Sequence, residues 1–159
     1  MMWISPYNKK FTTKLLFRKS INGDSYDEFH RLCDNQGTTL VLIEGEEGFI
    51  IGGYTTKDWD TSEKWYKDEN SFLFNLTNLQ IFLHIKIKYS IRGREENGPW
   101  FAYIGFKDKL YYNLNKGYFY YKKYIDDICF ENYNSIIQNK ECNRIFNVKE
   151  VEIYKITKN

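Results

Sequence analysis

Histidine and cysteine are scarce in this chain of 159 residues, which has two of the first and three of the second. With only His30 and His84 available, a zinc site would have to recruit Cys129 or Cys142, and no paired ligand spacing supports one. Cys33, Cys129 and Cys142 are odd in number and widely separated, which argues against a disulfide framework. Charge of one sign is not in excess: 23 basic and 21 acidic residues leave a net charge of +2. Without a polybasic arm or acidic tail, strong non-specific binding to nucleic acid is not expected. No apolar run approaches the ~20 residues that a membrane helix needs. The opening MMWISPYNKKFTTK lacks the apolar core and cleavage site of a signal peptide, so the expected compartment is the cytoplasm. Asn75-Leu76-Thr77 fits a glycosylation sequon, which without a secretory signal reads as chance.

Chemical motifs are also missing. Gly52-Gly53 belongs to neither a GxxxxGK[ST] loop nor a GxGxxG turn. Glu46-Glu47 and Glu95-Glu96 sit in apparent turns and read as solvated charges, not as an acid–base pair. His30, Cys33 and Asp34 fall within one and a half helical turns, which raises a metal or a thiol site. A nucleophilic Cys33 with His30 as base would still need an orienting third group and an oxyanion hole, and neither is evident. The simpler role for His30, Asp34 and Asn35 is to hydrogen-bond backbone where a helix meets a sheet. Cys33 lies on the apolar side of that helix, and buried thiols are usually inert. The expectation is a non-catalytic protein with no cofactor and no metal.

What is present is apolar and aromatic: hydrophobic residues make up 42% and aromatic residues 19%. That is too apolar for disorder and sufficient for one domain with a sizeable core. Abundant Asn, Lys, Ile, Tyr and Phe are what an AT-rich genome would supply, so the aromatic excess does not itself indicate a binding function.

Met1 to Thr13 shows no sustained period and reads as a lead-in, followed by a strand at Lys14–Lys19 and a turn at Asn22-Gly23. Ser25 and Glu28 fit a capping box, and Tyr26, Phe29, Leu32 and Cys33 recur at helical spacing, predicting a helix from Ser25 to about Asn35 that Gly37 ends. Thr38–Glu44 and Phe49–Thr55 read as a hairpin across the Gly45–Gly48 loop. Gly52-Gly53 within the second strand signals a bulge or a close backbone approach. Thr55 to Ser71 has no period and carries Trp59 and Trp65 among charges. Either both tryptophans fold back onto a sheet edge, or one anchors a partner. Phe72, Phe74 and Leu76 alternate. Ile81, Leu83, Ile85, Ile87, Tyr89 and Ile91 alternate with polar residues as one long half-buried strand. Trp100–Gly105, Lys109–Leu114, Gly117–Lys122 and Val148–Ile156 are further strands, while Asp126 to Cys142 has no clear pattern. Many short strands with one or two helices predict a mainly β, α+β fold. Its expected form is a two-sheet antiparallel β-sandwich with a few short flanking helices.

The block KLLFRKSINGDSYDEFHRLCDNQGTTLVLIEGEEGFIIGGYTTKDW resembles the TLDc domain family, whose pattern runs DG-F----FH--CDN-G-TL-LI and then G-IFGGYT---W. Phe29, His30, Cys33, Asp34, Asn35, Gly37, Thr39, Leu40, Gly52, Gly53, Tyr54, Thr55 and Trp59 stand where that pattern wants them. FLFNLTN, NGPWF, the Asp108–Tyr111 segment and FNVKEVEIY follow in the family's order, so the resemblance spans residues 13–158. Departures occur at Asn22-Gly23-Asp24, at GPWFAYIGFKDKLYY in place of a glycine-rich run, and through Tyr118–Cys142. The resemblance implies a β-sandwich without catalytic activity or cofactor. It further implies a protein-interaction and regulatory module linked to oxidative-stress protection and to the vacuolar-type proton pump (V-ATPase), whose subunits are the expected partners. Two other readings remain open at this point: a redox or enzymatic role for Cys33 and His30, and a sugar-binding sandwich using Trp59 or Trp65.

Overall fold

The computed structural model describes residues 10–83, 89–101, 104–106, 113–119 and 144–159. His84, Cys129 and Cys142, and the expected strand residues 84–88, 102–103, 109–112 and 120–122, lie outside that set.

The chain opens with β1 (Phe11–Arg18), a single turn α1 (Lys19–Asn22) and α2 (Tyr26–Cys33), then the hairpin of β2 (Thr39–Gly45) and β3 (Ile50–Thr55). Short strands follow: β4 (Trp65–Tyr66), β5 (Phe72–Asn75), β6 (Gln80–Leu83), β7 (Ile91–Arg92), β8 (Trp100–Phe101), β9 (Ile104–Gly105) and β10 (Lys116–Phe119), and the chain closes on the long β11 (Arg144–Lys158). The mainly β class and the few short helices are as expected.

Among the described residues the strands form one continuous antiparallel sheet, where two separate sheets were expected. The path is β4-β7-β8-β9-β10-β11-β2-β3-β5-β6, with β1 on the free side of β11. The reason lies in β11. Its first residues pair with Lys116–Phe119 of β10, while its continuation from Val148 pairs with β2 and its last part also takes β1. A strand of 15 residues serves both halves. The register shift between Val148 and Glu150, where β11 passes from one partner to the other, is the kind of irregularity that bends a strand.

The two halves share one core. Val41, Ile43, Ile51, Leu73, Val151 and Ile153 belong to the same buried cluster as Ile91, Phe101, Ile104, Phe106 and Phe146. Helix α2 contributes Tyr26, Phe29 and Cys33 to it. The helix starts as its sequence dictates, with the Ser25 hydroxyl accepting from the Glu28 amide at 3.2 Å. Half of the capping box forms: the Glu28 carboxylate turns to Arg31 instead of back to Ser25.

Several boundaries differ from expectation. β1 begins at Phe11, within the expected lead-in, and the expected strand Trp100–Gly105 is two strands, β8 and β9, that pair with each other. The helix ends at Cys33, before Gly37, because Asp34 turns extended and Asn35 takes a left-handed φ of 57° that the short Asn side chain tolerates. The long strand expected from Ile81 to Ile91 is two strands. β6 pairs with β5, β7 pairs with β4 and β8, and Ser90 before β7 is a bend. Ile81 and Leu83, expected on a buried face, are 48% and 59% exposed.

Candidate functional site

The FHRLCDN block at the end of α2 gathers a set of polar and aromatic side chains into one knot. His30 Nδ1 lies 2.8 Å from Asp34 Oδ1, and His30 Nε2 lies 2.9 Å from the carbonyl oxygens of both Arg94 and Asn97. The backbone contact expected of His30 therefore forms, but with the turn before β8 instead of with the first sheet. Asn35 donates its amide to the Trp59 carbonyl at 3.0 Å, and Gly37 donates to Asp58 Oδ1 at 2.6 Å. Trp59 itself is buried, with Nε1–H donating to Thr39 Oγ1 at 2.9 Å and its ring edge-on to Phe29 and Phe101. Thus the motif residues Phe29, His30, Cys33, Asp34, Asn35, Gly37 and Trp59 join α2, the 58–59 segment and the start of β2.

This arrangement bears on the thiol chemistry. Cys33 is fully buried, and burial together with the nearby Asp34 charge pushes its thiol pKa well above the ordinary value. A thiol held protonated is a poor nucleophile and a poor redox sensor. Both ring nitrogens of His30 are engaged by oxygen acceptors, so no base is left for Cys33. Among the described residues no three His, Cys, Asp or Glu side chains gather closely enough to hold a metal ion.

The glycine pair works by close approach. A Cβ on Gly53 would overlap the Phe101 ring from the other half of the sheet, and one on Gly52 would overlap the Val41 carbonyl oxygen and the Phe74 ring. Tyr54 turns to the opposite face from Gly53 and stacks on Phe72, with ring centroids 4.9 Å apart.

Of the two tryptophans offered as partner anchors, Trp59 is excluded by burial. The charged neighbours that suggested exposure, Lys57 and Asp58, point to solvent while the indole goes inward. Trp65 is half-buried in β4, with the Arg92 guanidinium 5.5 Å from its ring centroid and Tyr89 edge-on to it.

Two features had no clear signal in the sequence. Asp68 is buried within the 55–71 segment, where its carboxylate accepts from Thr55 Oγ1, Thr56 N, Thr56 Oγ1 and Asn70 N at 2.7–3.1 Å. Its backbone also exchanges hydrogen bonds with the Ser90 hydroxyl. The second is an apolar groove of about 490 Å³ on the outer face of the β2-β3-β5-β6 half. It is lined by Leu40, Leu42, Phe72, Phe74, Leu76, Leu79, Ile81 and Tyr154, with Leu79 64% exposed. The solvent-facing side of an antiparallel sheet is commonly polar, and this one is largely apolar.

A TLDc domain family model matches residues 1–157. The chain is similar to the MTOR-associated protein MEAK7 of Xenopus laevis, 28% identical over 72 residues that make up 45% of this chain and 16% of that protein. It is also similar to the proteins of the same name from Gallus gallus, 29% identical over 63 residues, and Danio rerio, 27% identical over 63 residues. Those two matches cover 40% of this chain and 14% of each relative, so the matched part is a small share of these longer proteins.

Proposed function

The chain belongs to the TLDc domain family, and from that premise we propose that it is a non-catalytic, cytoplasmic interaction module that binds V-ATPase subunits and contributes to oxidative-stress protection. An interaction and regulatory role is what the family match and the MEAK7 relatives support. The pump and the stress link come from the family resemblance of the CDNQGTTL and GGYT blocks. The observation that carries the interaction reading is the apolar outer face on which Leu76, Leu79, Ile81 and Leu83 stand exposed beside the buried Phe74. Contiguous apolar surface of this kind on a folded domain marks a binding surface more often than chance exposure. A catalytic reading has less support, since Cys33 is buried and its thiol pKa is raised.

Affinity capture of the tagged protein from its own cells, with quantitative mass spectrometry, tests the proposal. Enrichment of V-ATPase subunits over an untagged control is the expected result. Their absence at good expression overturns the pump assignment. A second reading is favoured by the names of the relatives, which are mTOR-associated proteins. Under it the same capture enriches an mTOR-containing assembly without pump subunits. Peroxide sensitivity of cells carrying Cys33→Ser separates both from a redox role: the interaction reading expects no loss of protection beyond what lower protein abundance explains.

A further inference from the structure

We propose that His30 is a pH-responsive clamp: as imidazolium it ties the Arg94–Asn97 turn to the end of α2, and loss of its proton releases that turn. The geometry carries this. Three oxygen acceptors surround one ring: Asp34 Oδ1 at 2.8 Å from Nδ1, and the Arg94 and Asn97 carbonyl oxygens at 2.9 Å from Nε2. Neither a carboxylate nor a carbonyl can donate, so both nitrogens must carry hydrogen for every contact to be attractive. A neutral ring that keeps Nδ1–H toward Asp34 turns the lone pair of Nε2 onto two carbonyl oxygens. The proton lost goes to solvent water or hydroxide, and the contact it leaves is repulsive.

The charges around the ring are few. From the residue that caps α2 comes Asp34, and the residue before it, Cys33, is a neutral buried thiol. From the turn, Arg94 offers its carbonyl to His30 while its guanidinium is drawn off to Glu96 at 3.0 Å and Glu63 at 3.7 Å. From the 58–60 segment, Asp58 is held by the Gly37 amide and Asp60 by Tyr66 and Ser62. Asp34 is therefore the one ionised side chain in contact with the imidazole among the described residues. Burial disfavours the charged ring, yet the Asp34 carboxylate and the two carbonyls outweigh it and raise the pKa above its ordinary 6.5. With a raised pKa, the stabilisation is complete below about 6.5 and is lost as pH rises through the folded value. The window lies above the ordinary imidazole value, and the clamp opens on alkalinisation.

The turn so held closes on itself through Asn97 N–H to the Arg94 carbonyl, and its two ends are anchored by Gly93 N–H to the Lys64 carbonyl and Gly98 N–H to the Phe106 carbonyl. Release therefore moves a turn against a fixed strand pair and does not unfold the domain. NMR of the labelled full chain between pH 5.5 and 9 tests the clamp without any substitution. The expected result is a His30 ring protonated on both nitrogens at pH 6, a midpoint above 6.5, and Arg94–Gly98 amide shifts that follow the same midpoint. Asp34→Asn is expected to lower that midpoint, because it removes the carboxylate that favours the charged ring. A ring already neutral in a single tautomer at pH 6, or turn amides that ignore the ring's titration, would overturn the proposal.

Discussion

Asp68 is a carboxylate almost without solvent contact that stays ionised because its neighbours donate to it. Burial pushes its pKa up, but the Thr55 hydroxyl, the Thr56 amide and hydroxyl and the Asn70 amide together hold it below the usual 3.8. A depressed pKa gives stability that is complete above about 3.8 and lost as pH falls through the folded value. Replacing Asp68 by Ala leaves four donors unpaired, at a cost of about 1–3 kcal/mol at pH 7. Thermal unfolding across pH 2.5–7 checks both parts: the variant should melt lower at neutral pH and show a shallower acid limb. A companion case is Gly52. An added methyl there meets the Val41 carbonyl oxygen, which is fixed in the β2–β3 ladder, as well as the Phe74 ring. Gly52→Ala should therefore cost about 1–3 kcal/mol in denaturant unfolding, as overpacking of a rigid site does.

At the scale of elements, α2 was legible from Ser25, Glu28 and the Tyr26–Phe29–Cys33 spacing because helix entry is decided locally. Ser25→Ala removes the acceptor for the Glu28 amide and should lower global stability by about 1 kcal/mol in urea titration. Loss of the Glu28–Arg31 pair through Glu28→Ala should cost less than the loss of the cap, since Arg31 is exposed and solvent screens the pair. The β2–β3 hairpin was legible for the same reason, its β-branched runs being bounded by Gly37, Gly45 and Gly48. The break between β6 and β7 was not. Alternation of apolar and polar residues continues through Leu83 to Ile91, and periodicity cannot report that the chain changes sheet partners within it. Trp59 was unreadable for another reason: its sequence neighbours are charged, whereas its burial is set by Phe29, Thr39 and Phe101, twenty or more residues away. Asp68 is alike, since its donors Thr55 and Thr56 precede it by a dozen residues and nothing local distinguishes it from the exposed Glu69. The polar role of His30 was foreseen, but its partners Arg94 and Asn97 are tertiary neighbours that only the fold identifies.

Over the whole molecule, one sheet path folded on a shared core explains why two faces differ. The inner face carries Val41, Ile43, Ile51 and Val151 into the core, and the outer face would ordinarily be polar. Here the cross-strand rows instead run Leu42, Gly52, Phe74, Ile81 and Leu40, Tyr54, Phe72, Leu83. Gly52 lowers the floor of the first row, and the loop residues Leu76 and Leu79 form one bank of the resulting groove. Nothing in the core requires these outer side chains, because about half or more of Leu79 and Ile81 is exposed to water. Replacing both by Asp should therefore change stability by no more than about 0.5 kcal/mol per site. If the face binds a pump subunit, the same change should be severe for binding. Each buried aliphatic side chain is worth roughly 1.5–3 kcal/mol, and 1.4 kcal/mol is tenfold in affinity. Parallel capture with the native chain and Leu79→Asp/Ile81→Asp, at matched abundance and matched melting temperature, should show at least a tenfold loss of V-ATPase subunits. Equal recovery by both proteins would move the partner to another surface, with half-buried Trp65 and Arg92 next in line for substitution.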